Sequence, residues 1–259
     1  MPRSLTLPAV VGTVEELSTS PATQDLVRRQ FEVIFFGQIN FIKAILPLLR
    51  ERHNGHIIML TAIHGHIGTP GMPMYSASTW ALEGFCDSLA YEIAPFNIKM
   101  TIVQPNMEIV ALTNRIVFAP QMEQYRSENN PAPGNRDILS RVVNVNQETK
   151  VEELQKGKGK QGTIVSRFPK LPAESIDRLV METVHALTAI GGHPNPPARH
   201  IVGNEGILAV KEKIKTVSEE LEDFVEVSCA VDIDDSEVAS PGWAAVPGQG
   251  STGVNRAGL

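Results

Sequence analysis

The chain has little cysteine, few large aromatics and no surplus of positive charge, and each shortage removes a class of function. Two cysteines in 259 residues, Cys86 and Cys229, build no disulfide framework, so a reducing compartment is the simplest home and a cytoplasmic location is expected. A net charge of -6 disfavours nucleic acid and anionic membrane surfaces as partners. No apolar run approaches the ~20 residues of a bilayer span. Residues 1–11 carry one arginine and a short, proline-broken apolar stretch, unlike a signal peptide. Metal ligands are also scarce. His64 and His66 form a lone His-x-His with His53 and His56 nearby, and without a Cys, Asp or Glu at ligand spacing they read as loop polarity, so no metal is expected.

What is there is organised around His56 to Pro105. Ile57-Ile58-Met59-Leu60 is too short for a lone helix and is flanked by turn formers, so it reads as a strand buried on both faces. Met100-Thr101-Ile102-Val103 ends at a proline in the same way. Between them Ala77, Ala81, Leu82, Phe85, Leu89 and Ile93 recur at helical spacing and give one apolar stripe to lay on a sheet. The expected unit is βαβ with a right-handed connection.

Gly55-His-Ile-Ile-Met-Leu-Thr, Gly68-Thr-Pro-Gly, Tyr75-Ser-Ala-Ser-Thr-Trp-Ala-Leu-Glu-Gly-Phe and Leu89-Ala-Tyr-Glu-Ile-Ala-Pro-Phe-Asn-Ile-Lys together resemble the catalytic half of the short-chain dehydrogenase/reductase family, most closely its fungal members. The resemblance runs from about Val11 to about Ser228. It implies an α/β fold with a doubly wound, Rossmann-like parallel sheet, here incomplete because the N-terminal nucleotide-binding half has no counterpart. It also implies a tyrosine acid/base, a lysine one turn later that lowers its pKa, a carbonyl-positioning serine and a supporting asparagine. By position the tyrosine is Tyr75, while Thr79, Ala62 and Ile34 occupy the lysine, serine and asparagine places. Without a cation nearby nothing in this motif lowers a phenol from its usual value of about 10. Thr61, Ser76 and Ser78 read as strand-end and helix-cap hydroxyls rather than replacements.

The expected strand, glycine-rich turn and helix that receive a pyrophosphate are missing upstream. Gly157-Lys-Gly-Lys-Gln-Gly162 satisfies Gly-x-Gly-x-x-Gly, but it follows a polar stretch and precedes β-like Thr163-Ile-Val, so it reads as a flexible loop. No cofactor-binding residues and no cofactor are therefore expected, with NADP or NAD the choice if the family's activity survives. The expected function is that of a pseudoenzyme or partner subunit. A repurposed isomerase, cyclase or dehydratase of fungal specialised metabolism using Tyr75 is the alternative, and a residual reductase of a small carbonyl compound the third.

Ser20-Pro21 opens a helix expected to run to about Arg52, with Pro47 inside it. The resemblance implies homo- or hetero-oligomers through helices 21–52 and 75–94, with room for a small-molecule substrate but no nucleic acid and no membrane. Residues 1–226 form the expected domain, with 107–170 a variable, substrate-lid-like region and 227–259 a disordered tail. Ser4-Leu-Thr-Leu reads as a substitute edge strand. An open sheet edge with exposed apolar surface is expected where the missing half belonged.

Overall fold

The computed structural model describes residues 9–105, 116–126, 152–155, 164–167 and 173–229. They form two compact units, Met1–Lys215 and Thr216–Leu259. The first holds both sheets. One sheet has the order β2-β3-β7, with β2 Gly55–Leu60, β3 Ile98–Pro105 and β7 Arg199–Val202, all parallel. The other has the order β1-β4-β6-β5, with β1 Ala9–Val11, β4 Ile116–Phe118, β5 Glu152–Gln155 and β6 Ile164–Arg167. Only β1 and β4 run parallel in it.

The βαβ unit is present as the apolar pattern requires. Ile57, Met59, Met100 and Ile102 face a core closed by Leu82, Cys86, Leu89 and Ile93 of helix α4, Pro73–Ile93. Asn97 turns the chain from α4 into β3 in the left-handed region, at φ 55°, and its amide donates to the His53 carbonyl at 3.0 Å. His53 ends the preceding helix in the same conformation. Two polar-tipped residues thus take the positions where chain direction reverses.

Upstream, α1 spans Val14–Ser18, and α2 spans Pro21–Phe31. The Ser20 hydroxyl accepts from Thr23 N at 3.2 Å and Pro21 sits in the first turn, as the sequence predicts. Thr13 and Glu16 make a second capping box that the Thr-x-x-Glu spacing announces. Replacing Ser20 by alanine is expected to cost about 1 kcal/mol of stability, read as a shift in the urea midpoint without a change in slope. After α2 the chain makes one π-helical stretch, Glu32–Phe36, before α3, Gly37–Arg52, which carries Pro47.

Pro21–Arg52 is helical throughout and, by length and composition, apolar enough to cross a membrane. This corrects the sequence expectation, which was misled by Gln38, Asn40 and Lys43 interrupting the run. Helices of non-membrane proteins pass the same test, and these three polar residues remain inside it.

The expected edge is also partly corrected. β4 pairs with β1 in register Ala9↔Ile116, Val10↔Val117 and Val11↔Phe118, and all six residues are buried. A segment from the lid-like region therefore covers this edge, whereas β2 ends its own sheet. Ser4-Leu-Thr-Leu and Gly157–Gly162 lie outside the described residues.

The C-terminal part holds α5, Ala173–Gly191, then β7 and α6, Asn204–Asp223, followed by α7, Val225–Cys229. Ala186 and Ile190 of α5 are buried, whereas Val180 is exposed. Val227–Cys229, expected to begin the tail, are helical.

Candidate functional site

Tyr75 stands in the first turn of α4, whose start is fixed by Pro73. Its ring is buried among Ala9, Val11, Ala62, Met72, Ile116 and Phe118, with Ile34 packed against the cluster. Three of the four positions singled out from the sequence, Ile34, Ala62 and Tyr75, are thus brought together, and two of them contribute only hydrocarbon. Burial raises the Tyr75 phenol further above its usual value of 10.0. The hydroxyl makes no hydrogen bond to a described residue.

Thr79, the fourth position, lies one turn along. Its Oγ1 donates to the Tyr75 carbonyl at 2.9 Å, and Ser78 Oγ donates to the same oxygen at 2.8 Å. Both hydroxyls are turned back onto their own helix, as expected of Ser78 and true also of Thr79. Ser76 accepts from Thr69 N at 3.4 Å, and Thr61 donates to Glu83 Oε1 at 2.8 Å.

His64 was not legible as part of this site. It lies on the 3-10 turn Ile63–Gly65, is 1% exposed, and meets Tyr75 edge-on with ring centroids 4.9 Å apart at 89°. Neither ring nitrogen has a hydrogen-bond partner among the described residues. Burial lowers its pKa to about 4, so the imidazole is neutral at pH 7. Among the described residues no group of His, Cys, Asp and Glu is placed to hold a metal ion.

Beneath the same turn sits a buried carboxylate. Glu83 accepts from Thr61 and, through both oxygens, from Gln104 Nε2 at 2.8 and 2.7 Å. Arg199 Nε lies 3.6 Å from Glu83 Oε2, an ion pair too long for a hydrogen bond, and its Nη2 pairs with Asp87. Burial works to lower the Arg199 pKa but is outweighed by Asp87 and Glu83, which hold it above its usual value. Burial, then Glu83 and Asp87, push the nearby Cys86 thiol up to about 12, so it is not a nucleophile. The polar cluster joins the ends of β2, β3 and β7 to α4. A side chain at Gly65 would land on the Glu83 carboxylate, which is why the turn carrying His64 needs glycine there.

The model of the short chain dehydrogenase family matches residues 7–117, the stretch that carries β1, the βαβ unit and Tyr75. Over that stretch the chain matches the short-chain dehydrogenase/reductase family. It is similar to the 3-ketodihydrosphingosine reductase of Bacteroides thetaiotaomicron, 44% identical over 84 residues, covering 32% of this chain and 31% of that protein. It is also similar to the oxidoreductase BOA17 of Botryotinia fuckeliana, 27% identical over 201 residues and covering 78% of this chain and 62% of that protein. The chain therefore spans between about a third and three fifths of the length of these relatives. A short-chain dehydrogenase from Streptomyces avermitilis shares the fold, with a TM-score of 0.61 at 23% identity over 88% of this chain and 70% of that one. The α/β architecture with parallel strands is the incomplete Rossmann-like fold read from the sequence. Family members of this kind ordinarily use NAD or NADP, and the matched relatives are named as dehydrogenases, reductases or oxidoreductases.

Proposed function

We propose that this family member does not run nicotinamide-dependent carbonyl chemistry and serves as a pseudoenzyme or partner subunit. The observation that carries the reading is the chemistry around Tyr75. Ile34 and Ala62 offer hydrocarbon where the family's mechanism uses an amide and a hydroxyl, and Thr79 is hydrogen-bonded to its own helix. The donor set thus lacks the cation that would depress the phenol and hold a nicotinamide ribose, and burial moves the phenol the wrong way. These residues do not fit the cofactor. Partner binding is supported by exposed apolar residues on the helices 21–52 and 75–94: Val33, Phe36, Phe41, Leu48, Trp80 and Tyr91.

One observation favours a second reading. The neutral His64 ring against Tyr75 supplies two uncharged proton-carrying groups in apolar surroundings, the equipment of a non-redox isomerase, cyclase or dehydratase rather than of a reductase. Titration with NADPH and NADH followed by calorimetry separates these readings from a residual reductase. No binding up to millimolar cofactor is expected, and saturable micromolar binding would overturn both. Tyr75→Phe then separates the two, since a partner subunit keeps its assembly and stability whereas a repurposed enzyme loses turnover.

A further inference from the structure

Helix α6 is seated only by its beginning. Gly206 and Val210 are buried, whereas every residue from Lys211 to Cys229 is exposed. Along that exposed length Ile214, Val217, Leu221 and Phe224 recur at spacings of three, four and three, a heptad seam. Their exposures are 64%, 38%, 64% and 62%. The helical course continues past Asp223, because Phe224 N donates to the Glu220 carbonyl and Ser228 N to that of Phe224. An amphipathic helix owes most of its stability to packing of its apolar face, so a stripe this exposed calls for an occupant.

Charge selects the occupant. Lys211, Lys213 and Lys215, with Glu212 among them, precede Glu219, Glu220, Glu222, Asp223 and Glu226, so the exposed helix is net basic at one end and acidic at the other. A parallel copy would set acid against acid along the whole second half. An antiparallel copy sets the lysine end beside residues 222–226, within a Debye length. Of the two neighbouring heptad registers, the one nearer the N-terminus needs Val210, which is already buried in its own chain. The other uses only exposed residues. It places Ile214 against Phe224 of the second copy and Val217 against Leu221, over about 16 Å of helix.

We propose that the stripe Ile214–Phe224 is a self-association surface that pairs antiparallel with the same helix of a second copy, about a two-fold axis beside Glu219. The pairing is isologous and so closes as a dimer contact. It is separate from the helices 21–52 and 75–94. The two Glu220 side chains nearest the axis oppose it, as does Glu212 across from Glu226, and Lys215 across from Asp223 at each end offsets part of that.

The test uses the full chain with Cys229→Ser, Cys86 being buried. Chains carrying Val217→Cys or Leu221→Cys are oxidised separately and as a mixture. The mixture is expected to give a disulfide-linked pair joining 217 to 221, and each variant alone to stay unlinked. Linkage of the Val217→Cys chain to itself would mean parallel pairing and would overturn the proposal. No linkage in the mixture, with both thiols protected from alkylation, would mean that the chain's own residues cover the stripe, which also overturns it; so would no linkage with both thiols reactive. In sedimentation, Leu221→Lys is expected to abolish one association step with helix content retained by circular dichroism. An unchanged mass distribution would count against the surface.

Discussion

His64→Leu is expected to remove a pH dependence that the natural chain carries between pH 6.5 and 4. The imidazole has its ordinary value of 6.5 when the chain is unfolded and about 4 when folded, because burial disfavours the charged form. Between these values the unfolded chain binds the extra proton, so stability rises with pH. It is fully present above about pH 6.5 and is lost as pH falls toward 4. The difference corresponds to roughly 3 kcal/mol, at 1.36 kcal/mol per unit. Carboxylates also titrate as pH falls, so the measurement is the gap between the natural chain and His64→Leu in urea midpoints at pH 7, 6, 5 and 4. The gap should move in favour of the leucine chain as pH falls and level off near pH 4. A gap that stays constant across this range would show that His64 is not held neutral by burial. At pH 7 the leucine chain is expected to be no less stable, because the ring nitrogens it removes are buried without partners among the described residues.

Glu83→Ala is expected to destabilise the fold by about 3–5 kcal/mol, since it leaves Arg199 and Gln104 partly or wholly buried without their common acceptor. Arg199 keeps Asp87, which places the effect toward the lower end. Gly65→Ala should be comparably damaging in the natural chain, where the new methyl meets the carboxylate, and nearly silent once Glu83 is alanine. The double-mutant cycle therefore has a coupling of about 2 kcal/mol or more. Additive effects in denaturant titrations would mean that the turn and the carboxylate do not share that space.

The contrast between these two residues and Tyr75 shows what the chain discloses by itself. The βαβ unit was legible because Ile57, Met59, Leu82, Leu89 and Ile102 repeat at strand and helix periods, and periodicity is local. That hydrocarbon and hydroxyl groups stand near Tyr75, and no cation, was legible because Ile34, Ala62 and Thr79 fall at fixed distances from it within a matched stretch. His64 was not, because a histidine on a polar-looking loop gives no sign that the loop folds inward against a ring eleven positions later. Glu83 left a faint signal, an acid beside Leu82 in an otherwise apolar stripe, but its partners Gln104 and Arg199 come from distant strands. The β1–β4 pairing was illegible for the same reason. Three-residue strands carry almost no period, and their register is decided by which edge they meet.

That pairing also sets a clock. β1 joins a partner strand that follows it by roughly 110 residues, and the Glu16 carboxylate receives Met122 N across a similar span. On a ribosome adding about 5–20 residues per second, β1 is made some 5–20 s before β4 exists. The β2-α4-β3 unit has been synthesised by then, with its contacts close in sequence and its folding correspondingly fast. Synthesis thus leaves the first strand waiting on a nearly finished neighbour, with its edge open to chaperones or to another nascent chain for those seconds.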